Sequence, residues 1–223
     1  MSESARPAVP SVQPAEDLAF LRDLAESGRD APFGGGDYLV AGGGWFALAS
    51  LVVWFGAQGL FGLGLPSAHL VWLFAAVGFA GSLVYLIRRD RGLPETTTNR
   101  ALGAVWSATG WGIFAFWLGS SVLAERSGAE TIGPVLSSTI ALHVLSAYGV
   151  AWSAYRLISR QAWAGWVAAA SFIAVPVMAA AQGTGHEYLV YALVIVATAV
   201  LPGLRLRAAA RAARTETSTT AGA

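Results

Sequence analysis

The chain has no cysteine and no lysine among its 223 residues. The first absence excludes disulfides, thiolate metal sites and a cysteine nucleophile. The second leaves arginine as the only strong base, a usage that, with abundant Ala and Gly, points to a GC-rich bacterial genome. Charge is scarce: 12% of residues are Asp, Glu, Lys or Arg, where a soluble domain carries about 25%. From Tyr38 to Ile87 no residue is charged, too long a run for one soluble core element. A net charge of +1, with no basic patch interleaved with aromatics, argues against a nucleic-acid partner.

Catalytic signatures are missing too. There is no HExxH, no P-loop and no GxSxG, and no helical pair of His or carboxylates to hold a catalytic metal. The glycines at 34–36 and 42–44 follow no strand and form no dinucleotide fingerprint. No Asp, Glu or Arg lies in the middle of an apolar segment, which weighs against proton-coupled transport. Neither a catalytic residue nor a metal site is expected.

What is present is a zigzag of apolar segments. Crossing about 30 Å of hydrocarbon takes roughly 20 residues of helix. Six such spans are expected: Tyr38–Ala57, Ala68–Ile87, Ala101–Leu123, Pro134–Tyr155, Ala162–Ala181 and Glu187–Leu204. Gly59, Gly62, Gly64 and Pro66 break the first two apart. Pro134 suits a first helical turn, where its absent N–H would be unpaired anyway. The expected fold is therefore all-α, a polytopic bundle of six transmembrane helices.

Arginine gives that zigzag a direction. Arg6, Arg22 and Arg29 precede the first span, and Arg88, Arg89, Arg91 and Arg100 lie between the second and third. Arg156 and Arg160 separate the fourth and fifth, and Arg205, Arg207, Arg211 and Arg214 follow the sixth. Only Arg126 falls on the other side. Basic residues stay cytoplasmic, so both termini are expected in the cytoplasm of a bacterial inner membrane. Three domains follow: a cytoplasmic segment 1–37, the spans 38–204 and a polar, disordered tail 205–223.

The N-terminal segment is polar, mixed in charge and contains Pro7, Pro10, Pro14 and Pro32. It does not read as a cleavable signal peptide. Within it Gln13–Arg29 reads as a short amphipathic helix, with Leu18, Leu21 and Leu24 on one face and Glu16, Asp17, Asp23 and Glu26 on the other. A membrane-surface helix is usually basic. This one is acidic, so docking on the protein's own arginine-rich loops is expected. Gly34, Gly35 and Gly36 form a joint after it.

The spans also hint at three repeated hairpins. Arg100 precedes Trp106 by six residues, as Arg160 precedes Trp166, and Tyr85 and Tyr155 each lead into arginines. The plainer reading is that aromatic and basic residues collect at any membrane interface. Ala76/Ala80, Ala108/Gly112 and Ala164/Ala168 are small-residue pairs that permit close helix approach. Ser146-Ala147-Tyr148 recurs as Ser153-Ala154-Tyr155 seven residues on, a spacing that keeps one face toward a partner. Pro176 leaves the carbonyl of Phe172 without its helical donor.

Few residues are candidates for chemistry. His143 falls about 13 Å beyond Pro134, near mid-bilayer, with Ser146 on its face. It reads either as a ligand or proton relay, or as a neutral histidine bonded to a neighbouring Ser or carbonyl. His69 and His186 begin the second and sixth spans at similar depth, the placement two axial ligands of a haem b would need. Glu187 is placed to pair with His69. Nine tryptophans are many, and those at depth need a partner for the indole N–H or a cavity. Trp111, Trp117 and Trp152 with His143 and Ser146 are the candidate lining of such a cavity; general packing is the alternative.

The stretch Glu16–Arg22 through Ala31-Pro32, then Asp37-Tyr38-Leu39-Val40-Ala41-Gly42-Gly43-Gly44-Trp45, resembles the opening of uncharacterised multi-span membrane proteins from alphaproteobacteria. That resemblance covers about thirty residues and implies an inner-membrane bundle, with no activity or site residue to carry over. The expected role is a non-enzymatic structural or assembly subunit or a sensor, in contact with lipid and with a membrane-protein partner or further copies of itself. The alternatives are a small transporter or channel for a neutral or apolar solute, and a haem-binding electron carrier.

Overall fold

The computed structural model describes residues 34–59, 68–91, 96–127 and 129–221, together with Leu18. The described residues contain helices and no strand. We number them α1 (Gly36–Ala57), α2 (Ala68–Asp90), α3 (Thr97–Ser127), α4 (Ala129–Ser159), α5 (Ala162–Ala181), α6 (Glu187–Ile195) and α7 (Leu201–Ala221). A π-helical turn, Val196–Val200, joins α6 to α7 in one sixth rod. Five rods are long and apolar enough to cross a membrane: α1, α2, α3, α5 and Glu187–Ala213. The fourth, α4, has 31 residues. Its neighbours α3 and α5 flank it on both sides.

Most rod boundaries match the expected spans to within a few residues. The fourth does not: α4 starts at Ala129, so Pro134 lies inside the helix rather than at its first turn. The C-terminal tail is also different from expectation. Residues 205–221, expected to be disordered, continue helix α7 as far as Ala221. The run Ala208-Ala209-Ala210-Arg211-Ala212-Ala213 is made of the strongest helix formers, and Leu206 is anchored at 3% exposure. The amphipathic helix expected over Gln13–Arg29 lies outside the described residues except for Leu18, which is helical and exposed.

Helix α1 lies between α2 and the sixth rod, and α4 between α3 and α5; α5 also meets α6 and the π turn, joining the two triplets. Glycine decides the closest approach. Gly36, Leu39, Gly43, Ala47 and Ser50 are buried at three- and four-residue spacing, one stripe of α1. A Cβ on Gly36 would lie 2.6 Å from the Gly203 carbonyl oxygen and 2.8 Å from the Arg207 nitrogen. A Cβ on Gly43 would lie 2.9 Å from Ala199 Cβ. Between helices in lipid, such close packing supplies the dispersion attraction that water exclusion cannot.

In α4 the seven-residue spacing becomes a seam, with Leu145, Trp152 and Tyr155 fully buried and Tyr148 packed beside them. The small-residue pairs divide. Ala164 and Ala168 are buried in the core, whereas Ala76, Ala80, Ala108 and Gly112 face outward. The hairpin repeat is not reproduced in packing: Trp106 joins the core while Trp166 is 79% exposed, and Tyr155 is 0% exposed while Tyr85 is 65% exposed. Sequence-equivalent residues thus occupy opposite environments.

The antiparallel rods collect the described arginines. Arg88, Arg89, Arg91, Arg100, Arg156, Arg160, Arg205 and Arg207 lie at the same end of the bundle as Asp37, and Arg126 at the other end. Thr96 caps α3 at the arginine-rich end, its hydroxyl accepting from the Asn99 N–H at 3.2 Å.

Candidate functional site

The best-defined polar feature of the interior lies where the two triplets meet. Pro202 has no N–H, so the carbonyl of Thr198, four residues earlier, loses its α-helical donor. The backbone responds with the π turn, in which the Leu201 N–H donates to the Val196 carbonyl. Trp152 then supplies what the backbone lacks: its indole Nε1–H donates to the Thr198 carbonyl at 2.8 Å, with Trp152 itself 0% exposed. The Thr198 hydroxyl donates to the Val194 carbonyl at 2.8 Å. Around this bond stands an aromatic node. The Trp152 ring centroid is 5.1 Å from Trp106, 5.4 Å from Tyr155 and 5.5 Å from Trp163. Arg205 lies 4.8 Å above the Trp163 ring, a cation–π contact that caps the node at the arginine-rich end. Trp106 Nε1 is buried without an acceptor among the described residues.

The five candidate cavity-lining residues are not brought together. Trp152 belongs to this node. Trp111 and Trp117 point outward, 69% and 47% exposed, on either side of Phe114. They occupy the face of α3 turned away from the bundle, because α4 packs against its opposite side. Ser146 donates back to the Leu142 carbonyl at 2.9 Å and not to His143. His143 is partly buried and stacks on Phe116, centroids 4.2 Å apart and planes 14° from parallel. Its Nε2 is buried with no partner among the described residues.

The other two histidines also part company. His186 Nδ1 accepts from Trp54 Nε1–H at 3.2 Å, and Gln58 beside it donates to the Gly185 carbonyl at 3.0 Å. Together they tie the end of α1 to the start of α6. His69 is exposed on the first turn of α2. Glu187 does not staple His69; its Oε2 is buried without a hydrogen-bond partner among the described residues. No group of three His, Cys, Asp or Glu able to hold a metal occurs among the described residues.

At the opposite end a crevice of about 560 Å³ opens between α1, α2 and α7. Asp37, Arg89 and Arg207 stand at its outer end, Val40, Ala41, Tyr85 and Leu86 about one turn in, and Gly81 and Ser82 deeper. Asp37 bridges both arginines, at 2.8 Å from Arg89 Nη1 and 3.0 Å from Arg207 Nε. Asp90 takes Arg89 Nε at 2.8 Å and the Tyr38 hydroxyl at 3.1 Å. Two turns deeper, Trp45 Nε1–H donates to Ser82 at 3.0 Å, in the space left by Gly78. These residues were not candidates in the sequence. Their only signal was Asp37, the last charge before the first span, facing Arg89 and Arg207 at equal membrane depth.

No family model, curated protein or solved structure matches this chain.

Proposed function

We propose that this chain is a non-catalytic subunit of a bacterial inner-membrane assembly, with both termini in the cytoplasm. The orientation rests on the arginines gathered at one end of the bundle, since carrying guanidinium groups across a bilayer is costly. The role rests on one observation: α3 packs on α4 along one side and leaves its outer face uncovered, with 6% of its apolar stretch buried, against 11% for α2 and 44% for the sixth rod. That outer face carries Trp111, with Phe114 and Trp117 toward one flank and Gly112 and Gly119 on the other, where a Cβ would meet no atom within 4 Å. Glycine presents little surface to lipid but lets a second helix approach closely. A partner helix, from another protein or another copy of this chain, fits that face.

The absence of native cysteine makes the test direct. Gly112→Cys and Gly119→Cys, each the sole thiol, are oxidised in native membranes. Adducts at both positions, absent for Trp166→Cys on the exposed face of α5, support the assembly role. No adduct at either α3 position, and unchanged co-purifying proteins in the Gly112→Leu/Gly119→Leu variant, refute it. A second reading, a small transporter or channel for a neutral or apolar solute, has the buried, unpartnered His143 Nε2 in its favour. Solute flux in proteoliposomes that falls in His143→Phe distinguishes it.

A further inference from the structure

We propose that the crevice between α1, α2 and α7 is a binding site for the phosphate of an anionic phospholipid, from the leaflet that faces the arginine-rich end. Three features converge on that ligand. The first is shape and polarity. The crevice is largely apolar one turn into the span, along Val40, Ala41 and Leu86, with Ser82 beyond, and it ends in two arginines, Arg89 and Arg207, around Asp37. A phospholipid has the same sequence of chemistries, acyl chain then phosphate, along one axis.

The second is charge. Arg89 and Arg207 line the crevice against the carboxylate of Asp37, with Arg88, Asp90 and Arg91 beside Arg89. The surplus is cationic, and basic pockets between spans suit anionic headgroups. The third is accessibility. Arg207 Nε is buried against Asp37 at 3.0 Å, but the Arg207 side chain is 39% exposed, which leaves its terminal N–H groups open to a ligand. A phosphate oxygen is the strong acceptor a guanidinium fork fits. The Gly36–Gly203 backbone contact fixes where Arg207 stands, so the crevice is built by the packing of α1 on α7. This inference does not depend on the assembly role and holds for either orientation of the chain.

The full chain is purified in detergent and titrated with phosphatidylglycerol or phosphatidylcholine, bound lipid being counted by native mass spectrometry. Phosphatidylglycerol is expected to bind more tightly, and Arg207→Gln to weaken it about fivefold, the effect of one arginine at a membrane surface. Arg126→Gln, at the other end, is expected to change nothing. If Arg207→Gln fails to fold, Val40→Trp, which fills the apolar part of the crevice, is expected to give the same loss. Equal binding of both lipids, or equal weakening by Arg126→Gln, overturns the proposal. So does full occupancy by inorganic phosphate, which would make the ligand a free anion. If phosphatidylglycerol binds only after residues 1–33 are deleted, the acidic N-terminal segment is the occupant and the lipid proposal falls.

Discussion

The bond from Trp152 to the Thr198 carbonyl can be tested against its stated cause. Trp152→Phe removes the indole donor and leaves a carbonyl buried in the core. Orphaning a buried polar group costs about 1–3 kcal/mol. Interhelical hydrogen bonds within membranes average about 0.6 and reach about 1.7 kcal/mol. With a 2.8 Å bond from a donor that is 0% exposed, about 1 kcal/mol is expected from the bond alone. The variant also loses ring contacts with Trp106, Tyr155 and Trp163, so the single substitution does not isolate the bond. Pro202→Ala does. It restores an N–H four residues beyond Thr198, so the helix can supply its own donor and the indole becomes redundant. The packing loss is common to both backgrounds and cancels in a double-mutant cycle. Unfolding free energies in mixed micelles of sodium dodecyl sulfate and a mild detergent are the assay. Trp152→Phe should cost about 1 kcal/mol less in the Pro202→Ala background. Equal costs, within about 0.3 kcal/mol, would refute the claim that the proline creates the need the tryptophan fills.

Gly36→Ala is expected to destabilise by about 1–3 kcal/mol, because its Cβ would sit 2.6 Å from a backbone oxygen that no side-chain rotation can move; mixed-micelle denaturation reads it, and a neutral result would mean α1 and α7 shift apart freely. His143→Leu removes a buried nitrogen that has no partner and is expected to be neutral or slightly stabilising, whereas a loss above about 2 kcal/mol would reveal a bonded histidine. Asp37→Asn is expected to cost under about 1 kcal/mol, since Arg89 keeps Asp90 and both arginine side chains are about two-fifths exposed; a larger loss in the same denaturation would make the pair a structural keystone. With His186 engaged by Trp54, protein expressed with added haem is expected to show no Soret band, and a band lost in both His69→Ala and His186→Ala would restore the haem reading.

The small-residue pairs show where sequence reasoning stopped. Ala76/Ala80, Ala108/Gly112 and Ala164/Ala168 have the same spacing and chemistry, yet only the last pair is buried. Nothing local separates them, because a face is covered or bare according to which rod stands beside it. Trp106 and Trp166 diverge for the same reason. Pro202 was not singled out in the sequence, and the donor that answers its missing N–H came from Trp152 on another helix, 46 residues away.

The chain by itself determined that the protein is helical, how many long rods it forms, roughly where each begins and ends, and that its arginines share one end. These follow from quantities summed along the chain: apolar length against bilayer thickness, and the helix-breaking chemistry of glycine and proline. Tertiary structure alone decided which stripes are buried, that the outer face of α3 is left uncovered, that Trp111 and Trp117 turn away from His143, and that Asp37 meets Arg89 and Arg207. In water, an apolar face must be covered by protein, and composition betrays it. In lipid, an apolar face is solvated either way, so which side of a rod is buried is set by the shapes of its neighbours.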